Sequence, residues 1–243
     1  MTSSALVASF AKYFRVVLAN SPALQDEVFR VRFKVYCMEM RTEPQERFLD
    51  GREYDAFDEF AAHCLLQHRS SGLYAGCVRL VYSDPVKSPL LPVEAFCGDS
   101  LFPHIASAVL PNRGSYGEIS RLAVPAEFRR RSGEQNTAIP MTLDVGEAPH
   151  SGDRRERSLI TMGLFLAATA LGLIRGLDGV FAMMEPRLAR YLKQFGLEFA
   201  QVGNVVEYHG QRAAHYITKD GLKLHGDVAA LLDHIAAEIN QQL

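Results

Sequence analysis

The sequence has no C-x-x-C pair, no surplus of one charge sign, no apolar run of membrane-spanning length and no tryptophan. Its four cysteines, Cys37, Cys64, Cys77 and Cys97, stand singly, and three of them interrupt apolar runs. Buried thiols are expected there, rather than a disulfide framework or a zinc site. The histidines show no ligand spacing, so no metal is expected. Net charge is −2, which leaves no electrostatic footprint for nucleic acid. Residues 1–10 lack a basic stretch followed by a long apolar one, so no secretory signal is expected and the expected location is cytoplasmic. The longest apolar run, 159–174, is shorter than the roughly 20 residues of a spanning helix, and Arg157 and Arg175 bracket it. It reads as a helix buried in a protein core.

What the sequence does contain is charge in costly places. Glu53-Tyr54-Asp55-Ala56-Phe57-Asp58 and Glu118-Ile119-Ser120-Arg121 set ionisable groups in strand-like or pre-strand apolar sequence. Arg32 is similar on a helix. Leu24, Val28, Val31 and Val35 make one apolar stripe, and Phe29, Phe33, Tyr36 and Met40 a second. At about 100° per residue Arg32 falls between the stripes, while Arg30 and Lys34 fall on the far side. Buried charge is expensive unless paired or used in chemistry. A buried polar site is therefore expected, and with it an enzyme.

The 243 residues can bury a sizeable core, and one domain over 1–243 is expected. Strands are expected at 13–19, 60–67, 74–82, 116–124 and 180–184, with a hairpin formed by 199–208 and 213–218 around His209-Gly210. Helices are expected at 24–40, after the Ser21-Pro22 cap, and at 159–174, 186–195 and 227–239. Residues 93–108 read as a short helix or irregular segment. Residues 131–158 have little periodicity and read as a flexible insertion. This mixed order predicts an α+β fold, with one mostly antiparallel central sheet and helices on both faces.

That order and the charged motifs resemble the Gcn5-related N-acyltransferase (GNAT) fold. The nearer resemblance is to its acyl-homoserine-lactone (AHL) synthases and N-acyl amino acid synthases. It rests on Arg32-Phe33-Lys34-Val35-Tyr36, Glu53 to Asp58, Gly76-Cys77-Val78-Arg79-Leu80, Phe96 and Glu118 to Arg121, five motifs in the same order. Length and insertion look most like the acyltransferases associated with PEP-CTERM/exosortase systems. The resemblance implies transfer of a fatty acyl chain from a thioester to the amine of an amino acid or similar small acceptor. Lactone synthases usually carry a Trp after the first-helix aromatic. Cys37-Met38-Glu39-Met40 stands there instead, which argues against lactone formation from S-adenosylmethionine.

The amine must lose a proton, and Glu118 is the candidate base. The alternative for Glu118 is an ion pair with Arg79 or Arg121. Backbone N–H groups of Leu122 and Ala123 are candidates to hold the thioester oxyanion if the strand end is splayed. Direct transfer needs no nucleophilic Cys, and Cys77 has no basic neighbour in sequence. Glu118 and Arg121 are three apart and share a face only if the strand bulges between them. Without a bulge, Arg121 would pair with Asp55 or Asp58. Arg32, Asp55, Asp58, Arg79 and Arg121 are read as one network shaping the acceptor site, and Phe96 as part of the acyl slot.

Arg129-Arg130-Arg131-Ser132-Gly133-Glu134 follows the key strand, where acetyl-CoA enzymes of the superfamily carry Arg/Gln-x-x-Gly-x-Gly/Ala. Gln135 stands where Gly or Ala is wanted. A donor without the adenosine diphosphate is therefore expected: an acyl carrier protein offering acyl-phosphopantetheine, with Arg129, Arg130 and Arg131 as its docking site. Acyl-CoA is the alternative donor, and no resident cofactor is expected. Peripheral contact with a membrane is expected only through a lipid product. The rival readings are an AHL synthase, an acyl-CoA-dependent N-acetyltransferase and a non-catalytic carrier- or lipid-binding module.

Overall fold

The computed structural model describes residues 4–87, 90–129, 152–208 and 210–243. Its strands are β1 (Phe14–Leu18), β2 (Ala61–His68), β3 (Tyr74–Tyr82), β4 (Tyr116–Ala123), β5 (Gly179–Met184), β6 (Ala200–Gln201), β7 (Val206–Glu207) and β8 (Gln211–Thr218). They form one sheet in the order β1-β2-β3-β4-β5-β8-β6, with β7 also on β8. Among the described strands only β4 and β5 run parallel. Their pairing ends at Ile119 and Ala182, although β4 runs on to Ala123 and β5 to Met184. The two strands therefore splay in mid-sheet.

The helices are α1 (Ala5–Tyr13), α2 (Pro22–Arg32), α3 (Pro92–Cys97), α4 (Pro103–Ala108), α5 (Ala126–Arg129), α6 (Gly152–Ile174), α7 (Pro186–Lys193) and α8 (Gly226–Asn240). Strand alternation sorts the sheet into two faces. Val78 and Leu80 of β3 join the large core built with α6, α8 and α1. Cys77 and Val81 face the other way, into two smaller apolar clusters, one under α2 and one under α3 and α4. Arg79 lies between them on that second face. The apolar run of α6 is buried almost residue by residue because the sheet covers one side and α8 and α1 the other. Among the described residues no helix is long and apolar enough to cross a membrane.

Four local features depart from the sequence reading. An added helix, α1, is capped by the Ser4 hydroxyl. The helix expected over 24–40 is α-helical only to Arg32 and then widens into a π-helix, Phe33–Glu39. The hairpin strand expected over 199–208 is broken into β6 and β7. Between them Val202 N still donates to Ala214 O of β8, while Val202 O accepts from Phe102 N and Asn204 N donates to Ser100 O, away from β8. Helix α6 begins at Gly152, so the end of the segment read as an insertion is helical, while 131–151 lies outside the described residues.

Candidate active site

The second face carries a polar cleft at the β4–β5 splay. Its wall includes Tyr36, Glu43, Asp55, Arg79, Phe96, Glu118, Ser120, Arg121, Met183, Glu185, Tyr208 and Arg212, and it encloses about 940 Å³ counted out to open solvent.

A charged network floors the cleft. Arg32, fully buried, donates through Nε to Glu53 and through Nη1 to Asp58 Oδ1 at 2.6 Å. Arg79 Nη1 donates to the same Asp58 oxygen at 2.8 Å and to Asp55 Oδ1 at 2.6 Å, while its Nε donates to Ser120 Oγ at 3.0 Å. Arg121 Nε donates to Glu53 Oε1 at 3.2 Å, and its Nη2 reaches Glu43 and Asp55. Asp55 caps the short 3-10 turn Ala56–Phe60, whose third residue, Asp58, accepts from the Asp55 amide in return. That reciprocal cap holds both carboxylates toward the arginines. Burial favours neutral Asp58, but Arg32 and Arg79 outweigh it and hold its pKa well below the usual carboxylate range. Burial likewise opposes charge on Arg32, and Asp58 and Glu53 more than restore it. His63, 3.6 Å from Asp58, is pushed down to about 4 chiefly by burial and is neutral at pH 7.

The bulge that Glu118 and Arg121 need is present. Arg79 pairs with Ser120 and Cys77 with Ala123, so two steps on β3 match three on β4. The extra residue is Arg121, at φ 49°, a left-handed conformation rare for a side-chain-bearing residue. It reverses the alternation: Ile119 and Leu122 both pack in the large core, and Ser120 and Arg121 both face the cleft.

Glu118 is 2 % exposed. Its Oε2 accepts from Val93 N at 2.7 Å, and no ion pair with Arg79 or Arg121 forms among the described residues. Burial raises its pKa from 4.5 to about 7, against the opposing Val93 hydrogen bond and the fields of Arg79 and Arg121. A carboxyl group in this range can take and return a proton near neutral pH. The four cysteines are buried free thiols, and burial drives the Cys77 pKa up to about 12, which leaves it a poor nucleophile.

Other expected site residues fall differently. Arg129 is not offered to a carrier protein: it is 5 % exposed and donates to Glu39 Oε2 at 2.7 Å, because the π-helix brings Glu39 over α5. Arg130 and Arg131 lie outside the described residues. Ala123 is fully buried, and its amide faces the Cys77 sulfur on β3, because the bulge pairs it with Cys77. It is therefore not an oxyanion donor. Leu122, one residue earlier, turns its backbone the opposite way, and its carbonyl accepts from Tyr36 Oη at 2.8 Å on the cleft side. Phe96 stacks on Tyr208 and meets Phe57 edge-on, with 60 % of its surface exposed at the cleft mouth.

Sequence reasoning did not single out His63, Glu43 or Arg212. Glu43 lies in a polar loop and gives no signal. Arg212 does give one, as a cation heading the apolar run 213–217.

A family model described as an acetyltransferase (GNAT) domain matches residues 31–138. No curated protein matches by sequence. Among solved structures, the AHL synthase LasI is similar at 16 % identity and a TM-score of 0.56, over 87 % of this chain and 95 % of that one. BjaI, a CoA-dependent acyl-homoserine lactone synthase, is similar at 21 % identity and a TM-score of 0.56, over 92 % and 89 %. FeeM, an N-acyl amino acid synthase from uncultured soil microbes, is similar at 14 % identity and a TM-score of 0.54, over 84 % and 90 %. Residues 31–138 thus match a GNAT acetyltransferase domain, and the fold of the chain as a whole is similar to that of these synthases.

Proposed function

We propose that this chain, a GNAT-fold acyltransferase, moves a fatty acyl group from an acyl carrier protein thioester to the amine of an amino acid or similar small acceptor, giving an N-acyl amino acid. One observation carries the reading: a carboxyl group with its pKa raised to about 7 borders the cleft where β4 and β5 part. In this reaction the neutral amine attacks the thioester carbonyl. The C–N bond forms, the C–S bond breaks, and Glu118 accepts the amine proton, directly or through water, and returns it to the leaving thiolate. The Leu122 amide serves the developing oxyanion, and the Arg32–Arg79–Arg121 network holds the floor rigid. Phe96 and Met183 supply an apolar path for the acyl chain.

The donor is the finer part of the proposal. It is supported by the sequence Arg130-Arg131-Ser132-Gly133-Glu134-Gln135, in which a glycine of the pyrophosphate loop is replaced. The test is turnover of the purified chain with acyl-carrier thioesters and a pool of amino acids, read by mass spectrometry. N-acyl amino acids should form, and Glu118→Gln should abolish them. Release of methylthioadenosine from S-adenosylmethionine would assign a lactone synthase instead. Acetylated amines made from acetyl-CoA, with no fatty amide, would assign an ordinary N-acetyltransferase.

A further inference from the structure

Arg212 stands apart from the other arginines of the cleft. Arg32, Arg79 and Arg121 each meet two or more carboxylates. Arg212 heads β8 and lines the opposite wall beside Tyr208, yet its buried Nε has no hydrogen-bond partner and no described carboxylate pairs with it. Glu185 lines the same cleft without forming an ion pair to it. A half-buried guanidinium with an unsatisfied N–H is a costly arrangement that an incoming oxyanion relieves.

We infer that Arg212 receives the carboxylate of the amino acid acceptor, and of its N-acylated product, across the cleft from Glu118. Such an acceptor brings one anion and one amine. Glu118 faces the amine, and Arg212 is the unmatched cation left for the anion. The arginine is close enough to the Tyr36 hydroxyl to act on it electrostatically. Burial pushes that phenol up to about 12, and Arg121 and Arg212 both oppose the rise, so both cations act on one hydroxyl of the cleft wall. The inference rests on the acyltransferase reading only for the word acceptor, since the carboxylate site stands or falls by binding.

The same charge could instead meet the phosphate of a phosphopantetheine arm, so the test separates the two. Purified chain is incubated with a pool of N-lauroyl amino acids, with the matching pool of N-lauroyl amino amides, and with phosphopantetheine against pantetheine. The bound species are identified by mass spectrometry. Wild type should retain acids over amides by about 10- to 100-fold, the range of a charge-assisted hydrogen bond. Arg212→Gln should erase that preference, with an unchanged melting temperature because no protein partner is lost. Equal retention of acids and amides by wild type overturns the inference, whatever the variant does. So does retention of neither pool, or an Arg212→Gln variant that loses only its preference for phosphopantetheine. Retention of acids without turnover of any thioester would uphold the carboxylate site and sink the reaction proposed above.

Discussion

Arg32 on helix α2 and Arg79 on strand β3 donate to one and the same oxygen, Asp58 Oδ1, at 2.6 and 2.8 Å. Two guanidiniums are thereby held side by side in a nearly dry site, where Glu53 also accepts from Arg32 and Asp55 from Arg79, and Arg32 Nη2 is left without a hydrogen-bond partner. The site's rigidity depends on that shared acceptor.

Asp58→Ala should lower stability by about 3–5 kcal/mol, because it strands two buried cations. Urea unfolding measures it, and a wild-type midpoint would mean the cluster is not buried. The sign of the pH dependence follows from the lowered folded-state pKa. The Asp58 contribution is present above its unfolded pKa of 3.8 and is lost as pH falls below it toward the folded value. The stability gap between wild type and Asp58→Ala should therefore narrow in acid.

Glu118 should show the reverse dependence. Its folded pKa is raised, so the folded state holds a proton that the unfolded state has released. Its burial costs stability progressively from pH 4.5 to about 7, in total roughly 3 kcal/mol. Glu118→Gln should thus gain stability relative to wild type across that window while losing about 10²- to 10⁴-fold in rate. The wild-type rate should rise with pH to an inflection near 7. A flat profile from pH 5 to 8 would remove Glu118 as the base.

Arg121 carries both a charge and a strained backbone. Arg121→Gly and Arg121→Ala both remove the pairs to Glu53 and Glu43 and should both be inactive. The glycine variant should be about 1 kcal/mol more stable than the alanine one, since only alanine bears the cost of positive φ. Equal unfolding midpoints would show that the bulge relaxes when the side chain is removed.

Arg129 and its neighbours should separate by function. Arg129→Ala breaks the pair to Glu39 and should cost about 3 kcal/mol in stability. Arg130→Ala with Arg131→Ala should leave stability unchanged and raise KM for a carrier-protein thioester alone. The opposite pattern would exchange the roles assigned to these residues.

Much of the site is legible in the sequence because the cost of buried charge is a local signal. Arg32 lies between two apolar stripes, and Asp55, Asp58, Arg79, Glu118 and Arg121 interrupt strand-like sequence, so each announces itself. Arg129 misleads by the same logic: three consecutive arginines look solvated, and nothing nearby in sequence reveals that Glu39 covers the first. Arg212 escapes because a single cation at the head of a strand has an ordinary reading as a surface residue.

The order of apolar and charged residues by itself determined that helix α6 is buried, that the sheet has two faces and that some charges must be enclosed. Only the tertiary structure decided which carboxylate meets which arginine, that Ala123 turns to Cys77 while Leu122 turns to the cleft, and that among the described arginines lining the cleft Arg212 is left without a carboxylate. The physical reason is range. Alternation along a strand repeats every two residues, whereas the register shift at Arg121 and the pairs from Arg121 to Glu53 and Glu43 join residues 68 and 78 apart, set only when strands and loops pack together.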